Sequence, residues 1–191
     1  MIQSQDRAGW FGASDVCFIT GRWNTKTFRR WWLAKLGLEK GHYSSTAMNA
    51  GTYFEHAILD AVGAPRKDHQ ILIRPLRLRV NLDGDGPGQI FEVKTHREGR
   101  PYKPGKAHIN QVWVQMYAKS MEEGALPAAQ IVSYGLTADD YRNFFWKVDP
   151  QRVRKHPVVY SSGFIDIEFL PRLRYLKACL EKGVFPDEIP H

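Results

Sequence analysis

Two carboxylates and one ammonium are spaced for chemistry in the stretch Asn81-Leu82-Asp83-Gly84-Asp85-Gly86-Pro87-Gly88-Gln89-Ile90-Phe91-Glu92-Val93-Lys94-Thr95. An acidic residue ends an apolar-alternating segment, a glycine- and proline-rich turn follows, and a short strand then carries Glu-x-Lys. Side chains alternate across a strand, so Glu92 and Lys94 share one face while Phe91 and Val93 take the other. A turn that folds the strands back as a hairpin brings Asp83 beside Glu92. That set is the minimum for holding a hard divalent cation and a water poised to attack a phosphodiester. Glu-x-Lys alone carries no weight, because charged residues make up about a quarter of ordinary sequence. Asp-Gly alone marks a hairpin turn. The weight lies in acid, turn and Glu-x-Lys occurring in order, with Phe91 and Val93 arguing for a buried strand.

Two helical segments add candidates. In Ala50-Gly51-Thr52-Tyr53-Phe54-Glu55-His56, Gly51 lies one turn before Glu55 on the same face, so a backbone or a phosphate has room to approach there. Without neighbours Glu55 would be an exposed helix glutamate. In His108-Ile109-Asn110-Gln111-Val112-Trp113-Val114-Gln115-Met116-Tyr117, Gln111 and Gln115 are one turn apart. Amides of this kind bind a metal-held water, a phosphate oxygen or a base edge. In isolation they would be the polar face opposite Val112 and Met116.

The elements that must position these groups follow from periodicity and punctuation. Ser14-Asp15 before Val16, Phe18 and Ile19 predicts a short capped helix ending at Gly21. Residues 27–36 predict a helix closed by Gly37. Residues 45–62 predict a longer one, capped by Ser44 or Ser45 and stopped by Gly63-Ala64-Pro65. Residues 70–82 alternate, with Leu76, Leu78, Val80 and Leu82 on one side and Arg77, Arg79, Asn81 and Asp83 on the other; Pro75 marks an edge or a break. Strands are expected at 89–95, 131–135 and 143–148, and helices at 106–123 and 166–182, the last with Pro171 near its first turn. The expected fold is α/β: helices flanking a small, antiparallel or mixed sheet.

At 191 residues the chain is long enough for one domain with a substantial core, and a single domain over 1–191 is expected. No apolar run is long enough to span a membrane, and no secretory signal opens the chain. Cys17 and Cys179 are too few for a zinc or iron–sulfur centre, and a reducing cytoplasm is the simplest setting. The histidines show no metal-ligand spacing. A formal net charge of +7 is compatible with a polyanionic partner. Trp31-Trp32 beside Arg29-Arg30, and the run Tyr141-Arg142-Asn143-Phe144-Phe145-Trp146-Lys147, are of types that stack bases, although such aromatics are more commonly core.

Taken in order, Gly51/Glu55, Asp83, Glu92-Val93-Lys94 and Gln111/Gln115 resemble the PD-(D/E)XK nuclease superfamily, and most closely its phage branch, the lambda-exonuclease and YqaJ-type viral recombinases. Arg7-Ala8-Gly9-Trp10-Phe11-Gly12-Ala13-Ser14 resembles the opening segment of that branch, where an arginine and a serine bind a terminal 5′ phosphate. The resemblance runs from about residue 7 to residue 118. It departs at Gln115, where many relatives carry tyrosine, and it leaves residues 125–191 unmatched. Asp85 is an alternative to Asp83, which is preferred because it continues the strand alternation.

The resemblance implies a restriction-endonuclease-like core, a central mixed sheet flanked by helices. It implies a Mg²⁺-dependent deoxyribonuclease, with Mn²⁺ able to substitute, acting 5′→3′ on double-stranded DNA ends in phage-type recombination. The metal would be held by Asp83, Glu92 and the Val93 carbonyl, with Glu55 as a further ligand. Lys94 would orient or deprotonate the attacking water and Gln111 would position it or the scissile phosphate. Arg7, Ser14 and Gln115 would meet DNA or its 5′ phosphate. A ring-shaped homo-oligomer and a single-strand-annealing partner are also implied, in the host cytoplasm if the chain is phage-encoded. An endonuclease on the same scaffold, and a DNA-binding or assembly module that does not cleave, are the alternatives.

Overall fold

A computed structural model describes residues 8–39, 46–143 and 147–187. The expectations for Arg7, for the Ser44/Ser45 cap and for residues 144–146 lie outside the described residues. The helices are α1 (Val16–Ile19), α2 (Lys26–Lys35), α3 (Thr46–Val62), α4 (Lys106–Glu123) and α5 (Leu170–Lys182). The strands are β1 (Arg66–Ile73), β2 (Leu78–Gly86), β3 (Gln89–Arg97), β4 (Ala128–Leu136) and β5 (Val153–Val158). They form one sheet in the order β1-β2-β3-β4-β5, antiparallel except for the parallel β3–β4 pair. The parallel pair needs a crossover, and α4 supplies it. No helix among the described residues is long and apolar enough to cross a membrane.

Two apolar layers hold the sheet. On one side Leu78, Val80, Leu82, Ile90 and Ile131 pack with Val112, Val114 and Met116 of α4 and with α1, α2 and α5. On the other, Phe91, Val93, Val132 and Tyr134 pack against Ala50, Phe54, Ile58 and Leu59 of α3. Trp32 is fully buried in the first layer and donates from Nε1 to Val184 O at 3.0 Å. Trp31 donates to Asp15 Oδ1 at 2.9 Å. These rings therefore form the apolar face of an amphipathic helix rather than a nucleic-acid surface.

Glycines close the elements where expected: Gly37, Gly63 and Gly124 take positive φ just past α2, α3 and α4. The alternating segment at 70–82 divides at Pro75, where an edge or a break is expected, into two antiparallel strands. Residues Arg74–Leu76 form a 3-10 turn, and Arg77 follows with a left-handed φ of 47°. No strand forms at the described residues of 143–148; the fifth strand lies at Val153–Val158. The last helix begins as a π-helical segment, Phe164–Phe169, before α5.

The β2–β3 hairpin turns on Pro87 and Gly88, proline presetting the first turn position and Gly88 taking a φ of 65°. Its ladder is short: only Gly84–Gly86 pair with Gln89–Phe91. Beyond Gly84 and Phe91 the strands part. The alternation of β2 also breaks there. Leu82 belongs to the α4 layer, whereas a Cβ at Gly84 would lie 2.4 Å from Leu59 Cδ2 on α3. Asp85 returns to the α4 side and binds Lys119. Opposite this break, Asp68 of β1 has a φ of 54°. Gly84→Ala should therefore force Leu59 or the strand to move, at a cost of about 1–3 kcal/mol. Urea unfolding measures this, and Leu59→Ala in the same chain should recover part of the loss.

Candidate active site

The gap between the parted strands opens into a cavity of about 880 Å³. It is lined by Asn81 and Asp83 from β2, Glu92 to Arg97 from β3, Gly51 and Glu55 from α3, Gln111 from α4, and the segment Trp10 to Asp15. Parted strands leave backbone groups without ladder partners, and these must be satisfied otherwise. Val93 N donates to Asp83 Oδ2 at 2.8 Å. Asn81 O accepts from Gln115 Nε2 at 3.3 Å. Two side chains thus take the place of the missing ladder.

Glu92 is 1% exposed and fully engaged. Its Oε1 accepts from Lys94 Nζ at 2.5 Å and from Gln111 Nε2 at 2.6 Å. Its Oε2 accepts from Gln115 Nε2 at 2.5 Å. The one-turn spacing of Gln111 and Gln115 lets both reach one carboxylate from α4. Gln111 also lines the cavity, but Gln115 is completely buried behind Glu92, and its Oε1 has no hydrogen-bond partner among the described residues. The expectation that Gln115 meets DNA does not fit this position; a phosphate has no route to it. Its contact is with Glu92, whose orientation it fixes.

The carboxylates crowd one another electrostatically. Burial and the charges of Glu92 and Asp68 push the Glu55 carboxyl up to about 7. Burial and the charges of Glu92 and Glu55 push Asp83 well above the usual carboxylate range. Burial alone would lower the Lys94 pKa, but Glu92 and Asp83 outweigh it and hold the ammonium form. The base role expected of Lys94 depends on a nearby cation lowering its pKa. In this arrangement Lys94 is a donor and a positive charge. Glu55 and Asp83, gathered with Glu92 around one ammonium, form an oxygen donor set suited to a hard divalent cation.

Asp85, the alternative to Asp83, points elsewhere. It is completely buried and accepts from Arg66 at 2.5 Å, from His69 at 3.0 Å and from the fully buried Lys119 at 2.6 Å. Burial would raise its pKa, but the hydrogen bonds from Arg66 and Lys119 bring it down to about 2. This cluster ties β1 and β2 to α4 outside the cavity.

Several residues near the site escaped the reading of the sequence. Asp68 lines the cavity, and its Oδ2 lies 2.8 Å from His56 Nε2. Glu55, His56 and Asp68 bring ligand-type atoms within 4.8 Å of one another. His56 adjoins Glu55 in sequence, but nothing in the sequence signals that Asp68 faces α3. Lys35, 4% exposed, lines the cavity and donates to Asp15 Oδ2 at 2.6 Å and to Trp10 O at 2.8 Å, fixing the segment that carries the exposed Ser14. At Gly51 the group that comes close is Thr95, whose Oγ1 would lie 3.0 Å from an added Cβ. Tyr141, by contrast, begins the aromatic run that the sequence singles out; it lines the cavity and packs against the α3 layer.

No protein-family model and no curated protein sequence matches the chain. Solved structures do. An alkaline exonuclease from Laribacter hongkongensis superposes with a TM-score of 0.67 at 19% identity, covering 92% of this chain and 90% of its own. A phage related exonuclease from Haemophilus somnus 129PT gives 0.63 at 14% identity, covering 91% and 92%. At these identities the likeness shows the fold: the α/β architecture of solved exonucleases, along nearly the whole chain.

The Glu55 shift has a measurable sign. Between the ordinary glutamate range and about pH 7 the folded protein keeps a proton that the unfolded chain has released. Stability from this group is complete below the ordinary value and is lost as pH rises through about 7. In chelator, the melting temperature should fall between about pH 5 and 8, and Glu55→Gln should flatten that fall. Added Mg²⁺ should raise the melting temperature more at pH 8 than at pH 5, because only ionised carboxylates hold it.

Proposed function

We propose that the protein is a Mg²⁺-dependent deoxyribonuclease, with Mn²⁺ able to substitute, that digests double-stranded DNA from 5′ ends in phage-type recombination. The observation that carries this reading is the convergence of Asp83, Glu92, Glu55 and Lys94 in one cavity of a fold shared with solved exonucleases. Asp83, Glu92 and the Val93 carbonyl would hold the cation, with Glu55 as a further ligand. Bound there, the cation supplies charge neutralisation and an activated nucleophile for phosphodiester hydrolysis.

The chain's own groups do the rest. Lys94, kept as ammonium, offers protons to the non-bridging oxygens of a phosphate in the cavity and opposes the charge that grows there. Gln111 lines the same cavity while holding Glu92 Oε1, so it bounds the phosphate position and fixes a ligand at once. Gln115 secures the other oxygen of Glu92 from behind. Groups whose orientation is held by their neighbours lose little on reaching the reactive geometry.

The preference for ends rests on Ser14, on the cavity wall, together with Arg7. An arginine fork and a hydroxyl are suited to a terminal 5′ phosphate. The resemblance to the phage recombinases extends the proposal to a ring-shaped homo-oligomer around DNA and to a single-strand-annealing partner. An endonuclease, or a module that binds without cutting, would use the same cavity.

Linear and circular plasmid with and without Mg²⁺ separate these readings. Loss of linear DNA alone supports the exonuclease, loss of both forms means an endonuclease, and shifted but intact DNA means a binding module. Glu92→Gln and Lys94→Ala should abolish cleavage and leave duplex binding largely unchanged, since they serve the transition state. A 5′-phosphorylated end should be digested faster than a 5′-hydroxyl end, and Arg7→Ala should erase most of that difference.

A further inference from the structure

Beyond Lys94, strand β3 runs on into a group of aromatic rings that the proposed chemistry does not use. His96 lines the cavity and lies on the same strand face as Lys94, about 7 Å further along. Its ring stacks on Tyr102, with centroids 5.5 Å apart and planes 27° apart. Tyr102 stacks in turn on His108 at 6.0 Å and 10°. Its hydroxyl lies 2.7 Å from His108 Nδ1. His156 closes against Tyr102 at 5.3 Å and is held by Ser133 Oγ, 2.9 Å from its Nε2. The rings come from β3, the β3–α4 connection, α4 and β5, so the stack is fixed from four directions.

Core packing accounts for it only in part: Tyr102 packs against the first apolar layer, but all three rings of the stack are only half-buried and His96 faces the cavity. The surroundings are cationic: Arg97, Arg100, Lys103 and Lys106 are exposed along the same connection, with Glu98 the one acidic residue among them. Aromatic faces interleaved with cations suit single-stranded nucleic acid, because any base stacks on a ring while the cations meet its phosphates. We propose that His96, backed by Tyr102 and His108, is a stacking platform for an unpaired nucleobase next to the phosphate that Lys94 receives. This rests on the nuclease reading for its substrate, and it adds that the strand entering the cavity is unpaired at that step and is gripped by its base without regard to sequence.

The test is equilibrium binding in chelator, where nothing is cut, read by fluorescence anisotropy. The probe is a labelled duplex with a short unpaired 5′ end, carrying either natural nucleotides or abasic ones in that end. Wild-type protein should bind the abasic probe about 5- to 150-fold more weakly, the range of one base–aromatic stack. His96→Ala should bind the natural probe correspondingly weakly and should no longer distinguish the two. His96→Phe, which keeps a ring face, should restore both affinity and discrimination. Equal wild-type affinity for the two probes, undiminished discrimination in His96→Ala, or a His96→Phe variant no better than alanine would each overturn the platform. Discrimination without any Mg²⁺-dependent cleavage would refute the nuclease and leave the platform standing. Cleavage without discrimination would do the reverse, and no binding to either probe would remove both.

Discussion

The early end of the β2–β3 ladder is the constraint on which the site depends. A hairpin paired along its length would satisfy its backbone internally and leave no room between its strands. Here pairing stops at Gly84 and Phe91, and the freed Val93 N–H and Asn81 carbonyl need other partners. Asp83 and Gln115 are those partners. Two of the polar groups around the cavity are thereby also structural groups of the sheet. The same parting brings Glu92 and Lys94 to the opening although they lie on the α4 side, while Asp83 reaches it from the other strand.

Two aspartates two residues apart show how far surroundings decide chemistry. Asp85 is sealed by Arg66, His69 and Lys119 and stays ionised down to about pH 2. Breaking such a buried cluster by removing one partner typically costs about 3–5 kcal/mol, so it behaves as a tie between strand and helix. Asp83 has Val93 N–H as a neutral donor and two carboxylates nearby, and its pKa moves the opposite way. The difference traces to the break in alternation, which sends one residue to the cavity and the other beneath α4.

Much of this was legible in the chain. The helix expected at 106–123 forms as α4, closed by Gly124, and the β2–β3 turn follows from its glycine- and proline-rich sequence. Glu55, Asp83, Glu92, Lys94 and Gln111 do line one cavity. What escaped depends on long-range structure or on coincidence. Alternation at 70–82 continues across the turn at Arg74–Leu76, so that Pro75 alone marks the break, and the left-handed Arg77 that completes the turn carries no signal in the sequence. Strand β5 contains Arg154, Lys155, His156 and Pro157, a composition unlike a central strand but tolerated at a sheet edge. Asp68 owes its place to an unusual backbone angle, and Gln115 to burial that a polar residue type does not announce.

Glu92, Lys94, Gln111 and Gln115, with Asp83 across a tight turn, occupy one unbroken stretch from β2 to the middle of α4. Contacts between near neighbours in the chain close small loops, whose entropic cost is low, and folding speed follows such locality. The polar heart of the cavity thus belongs to the part of the molecule that is cheapest to assemble, while Glu55 and the Trp10–Asp15 segment come from farther up the chain. The cavity wall is consequently made in part by contacts of low closure cost and in part by segments distant in the chain.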